Sequence, residues 1–113
     1  MKTIDQTTVI SEENKALLRA VKKTVRAFLP TAEVLLYGSV AAGTHGPDSD
    51  CDILVLTDNP VAKEAKRAIE RQMLDLELTH DVVLSTLYHS KAEWRVRATL
   101  PFHSEVERSG IVL

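Results

Sequence analysis

The sequence has almost no cysteine, no long apolar run and no excess of positive charge, and each shortage excludes a class of protein. Its one cysteine, Cys51, excludes an internal disulfide and fits a reducing compartment. No apolar run approaches the ~20 residues that a membrane-spanning helix needs, and the first residues are polar rather than signal-like. We therefore expect a cytoplasmic protein that makes no membrane contact.

The formal net charge of the 113-residue chain is -2, so no overall basic field attracts nucleic acid, and direct nucleic-acid binding is not expected. Hydrophobic residues make up 44% of the chain and charged residues 27%, which is typical of a soluble globular protein. A chain of this length predicts a single domain over residues 1–113.

Hydrophobic periodicity, capping residues and turn residues predict helices that alternate with short strands. The predicted helices lie at 11–29, within 39–43, from 60 to about 76, and from 90 to 109 with a break before Pro101. The predicted strands lie at 33–37, 51–56, 77–85 and 111–113. This order predicts an α/β or α+β domain with a small, mixed, twisted sheet flanked by helices.

The strongest chemical signal is a small-residue turn followed by two closely spaced acids. The turn is Gly38-Ser39-Val40-Ala41-Ala42-Gly43, and the acids lie in Ser49-Asp50-Cys51-Asp52 at the head of an apolar strand. Because successive side chains of a strand alternate between its faces, Asp50 and Asp52 point the same way. Two adjacent carboxylates repel each other unless a cation lies between them. The pattern predicts a site for Mg²⁺ that carries a triphosphate.

Two better-known motifs do not fit these residues. A phosphate-binding P-loop has lysine and a hydroxyl residue after its second glycine, whereas this chain has Thr44-His45. A calcium-binding EF-hand loop that began at Asp48 would need glycine and glutamate where the chain has Ile53 and Asn59.

The chain resembles the minimal nucleotidyltransferase domains of the DNA polymerase beta superfamily. Their pattern is a strand, G-S-x-x-x-G, a loop and S-D-x-D entering another strand. This sequence has Tyr37-Gly38-Ser39-Val40-Ala41-Ala42-Gly43 and then Ser49-Asp50-Cys51-Asp52-Ile53-Leu54-Val55, and the resemblance covers essentially the whole chain. It implies transfer of a nucleoside monophosphate, most simply AMP from ATP, to an acceptor hydroxyl with release of pyrophosphate.

The resemblance also implies which residues do this work. Asp50 and Asp52 would bridge two Mg²⁺ ions, which stabilise both ends of an in-line displacement. Ser39 and nearby backbone N–H groups would hold the β- and γ-phosphates, aided by the start of the short helix. The expected nucleotide-binding residues are Gly38, Ser39, Gly43 and Ser49.

A two-metal site requires a third carboxylate from a neighbouring strand, and Asp81 is the first candidate. It directly precedes Val82-Val83-Leu84, the apolar centre of the strand predicted over 77–85, where an acid needs a partner. In the resembled family, the third acid of such a strand binds the catalytic metal and helps to deprotonate the acceptor. Glu77 has the same strand parity and is the alternative.

One residue departs from the family pattern. Many relatives carry a basic residue just before the second glycine, where this chain has Ala42. Loss of that cation weakens neutralisation of the triphosphate, so we expect either reduced activity or another phosphate clamp. Arg95 and Arg97 are candidates for that clamp, although two surface arginines are the simpler interpretation. His45, in the loop after the second glycine, is a candidate nucleotide contact.

The length leaves no room for a module that binds the acceptor, so a shallow surface, a second subunit or a partner protein must recognise it. The resemblance implies a HEPN-type helical partner in a toxin–antitoxin pair, which the chain neutralises by AMP transfer or by binding. The alternative is a catalytically weak or inactive module that acts through complex formation alone. Ala42 supports that alternative, whereas the three acids argue against it. An aminoglycoside-type transferase would need an additional acceptor domain.

Overall fold

The computed structural model describes residues 1–44, 46 and 50–113. The strands are β1 (Lys2–Thr3), β2 (Glu33–Tyr37), β3 (Cys51–Thr57), β4 (Leu84–Ser90) and β5 (Ile111–Val112). The helices are α1 (Glu12–Phe28), α2 (Gly38–Ala42), α3 (Lys63–His80), α4 (Lys91–Val96) and α5 (Pro101–Ser109). None of the helices in these ranges is both long and apolar enough to cross a membrane.

The five strands form one mixed sheet in the order β1-β5-β2-β3-β4. The outer pairs are parallel, β1 with β5 and β3 with β4, whereas β2 is antiparallel to both of its neighbours. The mixed sheet flanked by helices confirms the predicted fold class. Strand order and direction were not part of the prediction, and β1, which has only two residues, was missed.

Each face of the sheet has its own apolar core. On one face, buried side chains of α1 and α3, such as Leu18 and Ile69, pack with Ile53 and Val55 of β3. Cys51 belongs to this core and is only 3% exposed. On the other face, Trp94 of α4 and Val106 of α5 pack on alternate residues of β2 and β3.

The capping residues mark most helix ends correctly. The Ser11 side chain accepts a hydrogen bond from the Asn14 N–H at the start of α1, and Ser90 with Glu93 forms the predicted capping box at α4. The prediction that Pro60 opens α3 is wrong, because the helix begins at Lys63 with Ala62 as its N-cap. The Thr57 hydroxyl donates to the Asn59 carbonyl, which holds this segment as a turn before the helix.

The predicted strand over 77–85 is also wrong. Helix α3 continues to His80 and ends at Asp81, whose φ of 53° and ψ of 52° are left-handed. Strand β4 starts three residues later, at Leu84. The amide N–H groups of Asp81 and Val82 both donate to the Glu77 carbonyl, so these residues close the helix instead of entering the sheet. Glu77 and Asp81 therefore occupy the end of a helix.

Candidate functional site

The two acids lie at the start of β3, on the face of the sheet that α4 and α5 cover in part. Asp52 is opposite Tyr37 of β2 and Ser85 of β4 in the strand register. By strand alternation, Asp52 shares its face with Leu54, which is buried among residues of α4 and α5. Asp52 is half-buried, whereas Asp50 is exposed. That both carboxylates point to one side stays a prediction from strand alternation.

The Gly38-Ser39 turn brings the backbone directly against the second acid. Gly38 has a φ of +77°, and a β-carbon built on it would lie 3.3 Å from Cγ of Asp52 and closer still to Oδ2. Gly43 ends α2 with a φ of +76°, and its β-carbon would meet Val9 instead. Glycine is therefore needed at both ends of the short helix, but only Gly38 touches the acid pair.

The surroundings of the acid pair disfavour the charged form of Asp52. Burial, and then repulsion from Asp50, raise the pKa of Asp52 above its ordinary value. Burial followed by the charge of Asp52 likewise raises the pKa of Tyr37 and of the Cys51 thiol. In the described part of the chain neither aspartate forms an ion pair. Hard oxygen ligands that repel each other suit a divalent cation, so the residues present fit Mg²⁺.

A cleft of about 420 Å³ opens beside the turn, between α2 and α5. Its floor includes Tyr37, Gly38 and Ser39, and Ala42 and Thr44 continue the same wall. The opposite wall is one face of α5, formed by Phe102, Glu105, Val106 and Ser109. The volume falls in the range of small-molecule sites, which is about 300–1,000 Å³.

Sequence reasoning missed the contribution of α5 to this cleft. The four α5 residues stand at helical spacing on one side of the helix, and that spacing was the signal available. Phe102 meets Tyr37 edge-on with the ring centroids 5.2 Å apart, and Trp94 edge-on at 5.7 Å. Trp94 is itself buried and stacks on His103 at 4.5 Å. These aromatic contacts fix α5 beside the turn, and Trp94 belongs to the core of this face.

The structure does not bring Asp81 to the acid pair. Among the described residues, no three His, Cys, Asp or Glu side chains come together as a group that could hold a metal ion. Because β3 and β4 are parallel, and the Cys51 N–H donates to the Val83 carbonyl, Asp81 nevertheless lies at the same end of the sheet as Asp50. The Glu77 carboxylate is already engaged by the Leu84 N–H at 2.9 Å.

The remaining predicted residues divide into three groups. Ala42 is exposed and lines the cleft beside Ser39, so no cation stands at this position. Arg95, on α4, and Arg97, just after it, are both exposed. Ser49 and His45 lie outside the described residues.

Comparisons with known proteins show which proteins the chain is similar to. A protein of Methanocaldococcus jannaschii named "Putative protein adenylyltransferase MJ0141" is 26% identical over 97 residues, which cover 84% of this chain and 93% of that protein. A crystal structure of a toxin–antitoxin with AMP-PNP has a similar fold, with a TM-score of 0.60 and 21% identity over 90% of this chain and 72% of the other. The family model described as "Nucleotidyltransferase domain" matches residues 18–107. The chain therefore belongs to the nucleotidyltransferase domain family.

Proposed function

We propose that this protein transfers AMP from ATP to a hydroxyl group of a protein acceptor, with Mg²⁺ as cofactor. The observation that carries the proposal is the Asp50–Asp52 carboxylate pair beside the Gly38-Ser39 turn, which forms no ion pair with the residues that the structure describes. Membership of the nucleotidyltransferase family supports the reaction class. The name of the archaeal relative supports adenylyl transfer to protein.

The proposed reaction is one displacement at phosphorus. The acceptor oxygen forms a bond to the α-phosphorus of ATP, the bond from that phosphorus to the bridging oxygen breaks, and pyrophosphate leaves with both electrons of that bond. Mg²⁺ held at the acid pair would supply positive charge that neutralises the phosphates and stabilises the attacking and leaving oxygens. Asp50 and Asp52 would hold the metal, while Ser39 and the N–H groups of the turn would hold the β- and γ-phosphates. Gly38 and Gly43 would let the backbone of the turn approach these phosphates closely.

Asp81 remains our proposed third carboxylate, which accepts the proton of the acceptor hydroxyl. Asp81 lies at the same end of the sheet as the acid pair, which supports this role. The alternative, Glu77, already accepts a hydrogen bond from the Leu84 N–H. Asp81 holds a left-handed conformation that costs a non-glycine residue about 1–2 kcal/mol. We propose that nucleotide binding draws Asp81 out of this strained conformation and towards the acids.

We further propose that the acceptor belongs to a partner protein of a toxin–antitoxin pair, of the helical HEPN type. The support is the toxin–antitoxin structure that shares the fold and contains an ATP analogue. Asp50 is exposed, which is consistent with an acceptor that arrives on another macromolecule.

A second candidate is a module that binds the partner and transfers nothing. Two observations favour it: Ala42 places no cation on the cleft wall, whose described residues include no basic side chain, and the described acids form no group of three. The two candidates differ in whether the chain must transfer AMP in order to neutralise its partner protein.

The deciding experiment incubates the purified chain with Mg²⁺ and α-³²P-labelled ATP, with and without lysate of its own source. We expect label on a discrete protein, reduced at least about a hundredfold by Asp52→Asn, as is typical when a charge-stabilising group at a reaction centre is lost. Asp75→Asn is the matched control, because Asp75 is an exposed aspartate on α3. Absence of labelled protein from a chain that binds ATP would favour the second candidate.

A further inference from the structure

Strand β4 lies at the edge of the sheet, and its backbone has a definite free side. In a parallel pair, alternate residues of a strand bond to the neighbour while the residues between them point away. The Cys51 N–H donates to the Val83 carbonyl, and Cys51 is opposite Leu84. This register turns the backbone groups of Ser85, Leu87 and His89 towards β3. It turns those of Leu84, Thr86, Tyr88 and Ser90 outwards.

Two carboxylates close the ends of that outward row. The Leu84 N–H donates to Oε2 of Glu77 at 2.9 Å, and the Ser90 N–H donates to Oε1 of Glu93 at 3.2 Å. Between them, the outward groups of Thr86 and Tyr88 have no protein partner among the residues that the structure describes. The open part of the edge is therefore two residues long and is centred on Leu87.

This edge lacks the usual protection against pairing with another strand. Proteins shield edge strands with lysine, proline, bulges or short length. Strand β4 has seven residues, Leu-Ser-Thr-Leu-Tyr-His-Ser, without lysine, arginine, acid or proline. Leu87, at its middle, is 42% exposed, and the register runs unbroken from Leu84 to Ser90.

We propose that a second copy of this chain occupies the edge, with the two β4 strands antiparallel about a two-fold axis at Leu87. In this register Thr86 of each copy lies opposite Tyr88 of the other, and each pair exchanges both of its N–H···O bonds. Leu87 has no outward backbone group, so it meets its own copy in the non-hydrogen-bonded position, where side chains are closest. A β-branched residue opposite an aromatic one is also a favourable cross-strand pair.

The capped ends select this axis over its neighbours. An axis at Thr86 would place Leu84 opposite Tyr88, although the Leu84 N–H is already bonded to Glu77. An axis at Tyr88 would involve the Ser90 N–H, which is bonded to Glu93. The axis at Leu87 uses only free groups, and the row of free groups is symmetric about it. This self-complementarity argues for a second copy rather than an unrelated extended peptide.

The carboxylates of Glu77 and Glu93 also limit the strength of the β4–β4 contact. In the proposed dimer Glu77 of one copy would approach Glu93 of the other at each end, and like charges repel. Pairing is thus limited to the four central hydrogen bonds and the Leu87 contact. We expect a reversible dimer whose population depends on concentration, and we expect Glu77→Gln to shift it towards dimer.

The first test is the mass of the purified full chain by analytical ultracentrifugation, from roughly 1 to 500 μM. We expect the mass to rise from 12.5 kDa towards twice that value. Leu87→Lys should keep the chain monomeric throughout, because it places two like charges in contact on the axis. Val96→Lys is the matched control, since Val96 is an apolar side chain that is 82% exposed and lies outside β4.

Hydrogen exchange then distinguishes this dimer from any other. The Thr86 and Tyr88 amides should exchange at least tenfold more slowly at high concentration than at low concentration, and this difference should vanish in Leu87→Lys. A monomer at every concentration would overturn the proposal. So would a dimer in which the exchange of these two amides is unchanged.

Discussion

The Asp52 carboxylate lies against the α-carbon of Gly38, in the space that a β-carbon would fill. Gly38 opens α2 and Asp52 is the second residue of β3, so this contact joins the turn to the acid pair. The left-handed backbone of Gly38 and the position of Asp52 therefore depend on each other.

Gly38→Ala should lower stability and displace the acid. A left-handed alanine costs about 1–2 kcal/mol, and its methyl group would push the Asp52 carboxylate aside. We expect a lower melting temperature together with at least tenfold weaker Mg²⁺-dependent ATP binding. Gly43→Ala controls for backbone strain in the melting temperature: it has the same left-handed backbone, but its methyl group meets Val9 at 3.1 Å and leaves Asp52 in place. Unchanged Mg²⁺-dependent ATP binding in Gly38→Ala would contradict the Gly38–Asp52 relationship.

Asp52→Asn should stabilise the metal-free protein at neutral pH. The pKa of Asp52 is raised in the folded state, so the folded chain holds this proton more tightly than the unfolded chain. The unfolding free energy therefore falls as pH rises through the window just above the ordinary pKa of an aspartate. The asparagine variant avoids this loss, and its advantage should disappear at about pH 3, where the carboxyl is protonated in both states.

Melting curves with and without Mg²⁺ measure this effect. Asp50→Asn should raise the melting temperature at neutral pH by less than Asp52→Asn does. Repulsion from Asp50 is the smaller of the two causes that raise the pKa of Asp52. Mg²⁺ should raise the melting temperature of the parent chain and not that of Asp52→Asn. A neutral-pH melting temperature that falls in Asp52→Asn would show that the charged form is favoured by contacts we have not identified.

Asp81→Gly separates the two roles of Asp81. Glycine adopts the left-handed conformation freely, so the variant should gain about 0.5–1 kcal/mol of stability. If Asp81 is the third carboxylate, turnover should fall by at least about a hundredfold while ATP binding changes little. Asp81→Asn should lose turnover similarly without the gain in stability. Full turnover in both variants would leave Asp81 as a helix cap and nothing more.

Ala42→Arg tests the missing cation. Ala42 is exposed on the cleft wall that contains Ser39, so an arginine there can reach a bound phosphate without disturbing the core. A hydrogen bond that involves a charged group contributes about 1.5–3 kcal/mol, which corresponds to a tenfold or greater gain in ATP affinity by isothermal calorimetry. Thr44→Arg, farther along the same wall, is the control for a nonspecific gain in charge. No gain from Ala42→Arg would show that another group already neutralises the phosphates.

The acid pair and the turn were predictable because their signal is local. Strand alternation alone places Asp50 and Asp52 on one side, and only glycine fits the left-handed ends of α2. The burial of Cys51 follows from the same alternation, since it points opposite to the acids. These features need no knowledge of how distant elements pack.

The end of α3 was not predictable in this way. Val82-Val83-Leu84 favours a strand, and the expected helix stop is a glycine, whereas Asp81 adopts the left-handed position here. A contact with the start of β4 holds the last turn of the helix, because the Glu77 carboxylate accepts a hydrogen bond from the Leu84 N–H. Helical spacing groups the cleft residues on one side of α5, but only packing through Trp94 and Phe102 brings that side to the Gly38-Ser39 turn.

The position of β5 has a consequence for the order of folding. Ile111 and Val112 lie between β1 and β2, and the Ile4 N–H donates to the Val112 carbonyl at 2.8 Å. On the ribosome, β2 and β3 can pair and align the acids long before β5 is synthesised, whereas β1 must wait unpaired for residues from the far end of the sequence. Such distant pairing is slow because the loop-closure entropy must be overcome first. The amides of residues 2–4 should therefore be the last to gain protection during refolding, after the acid pair is already in place.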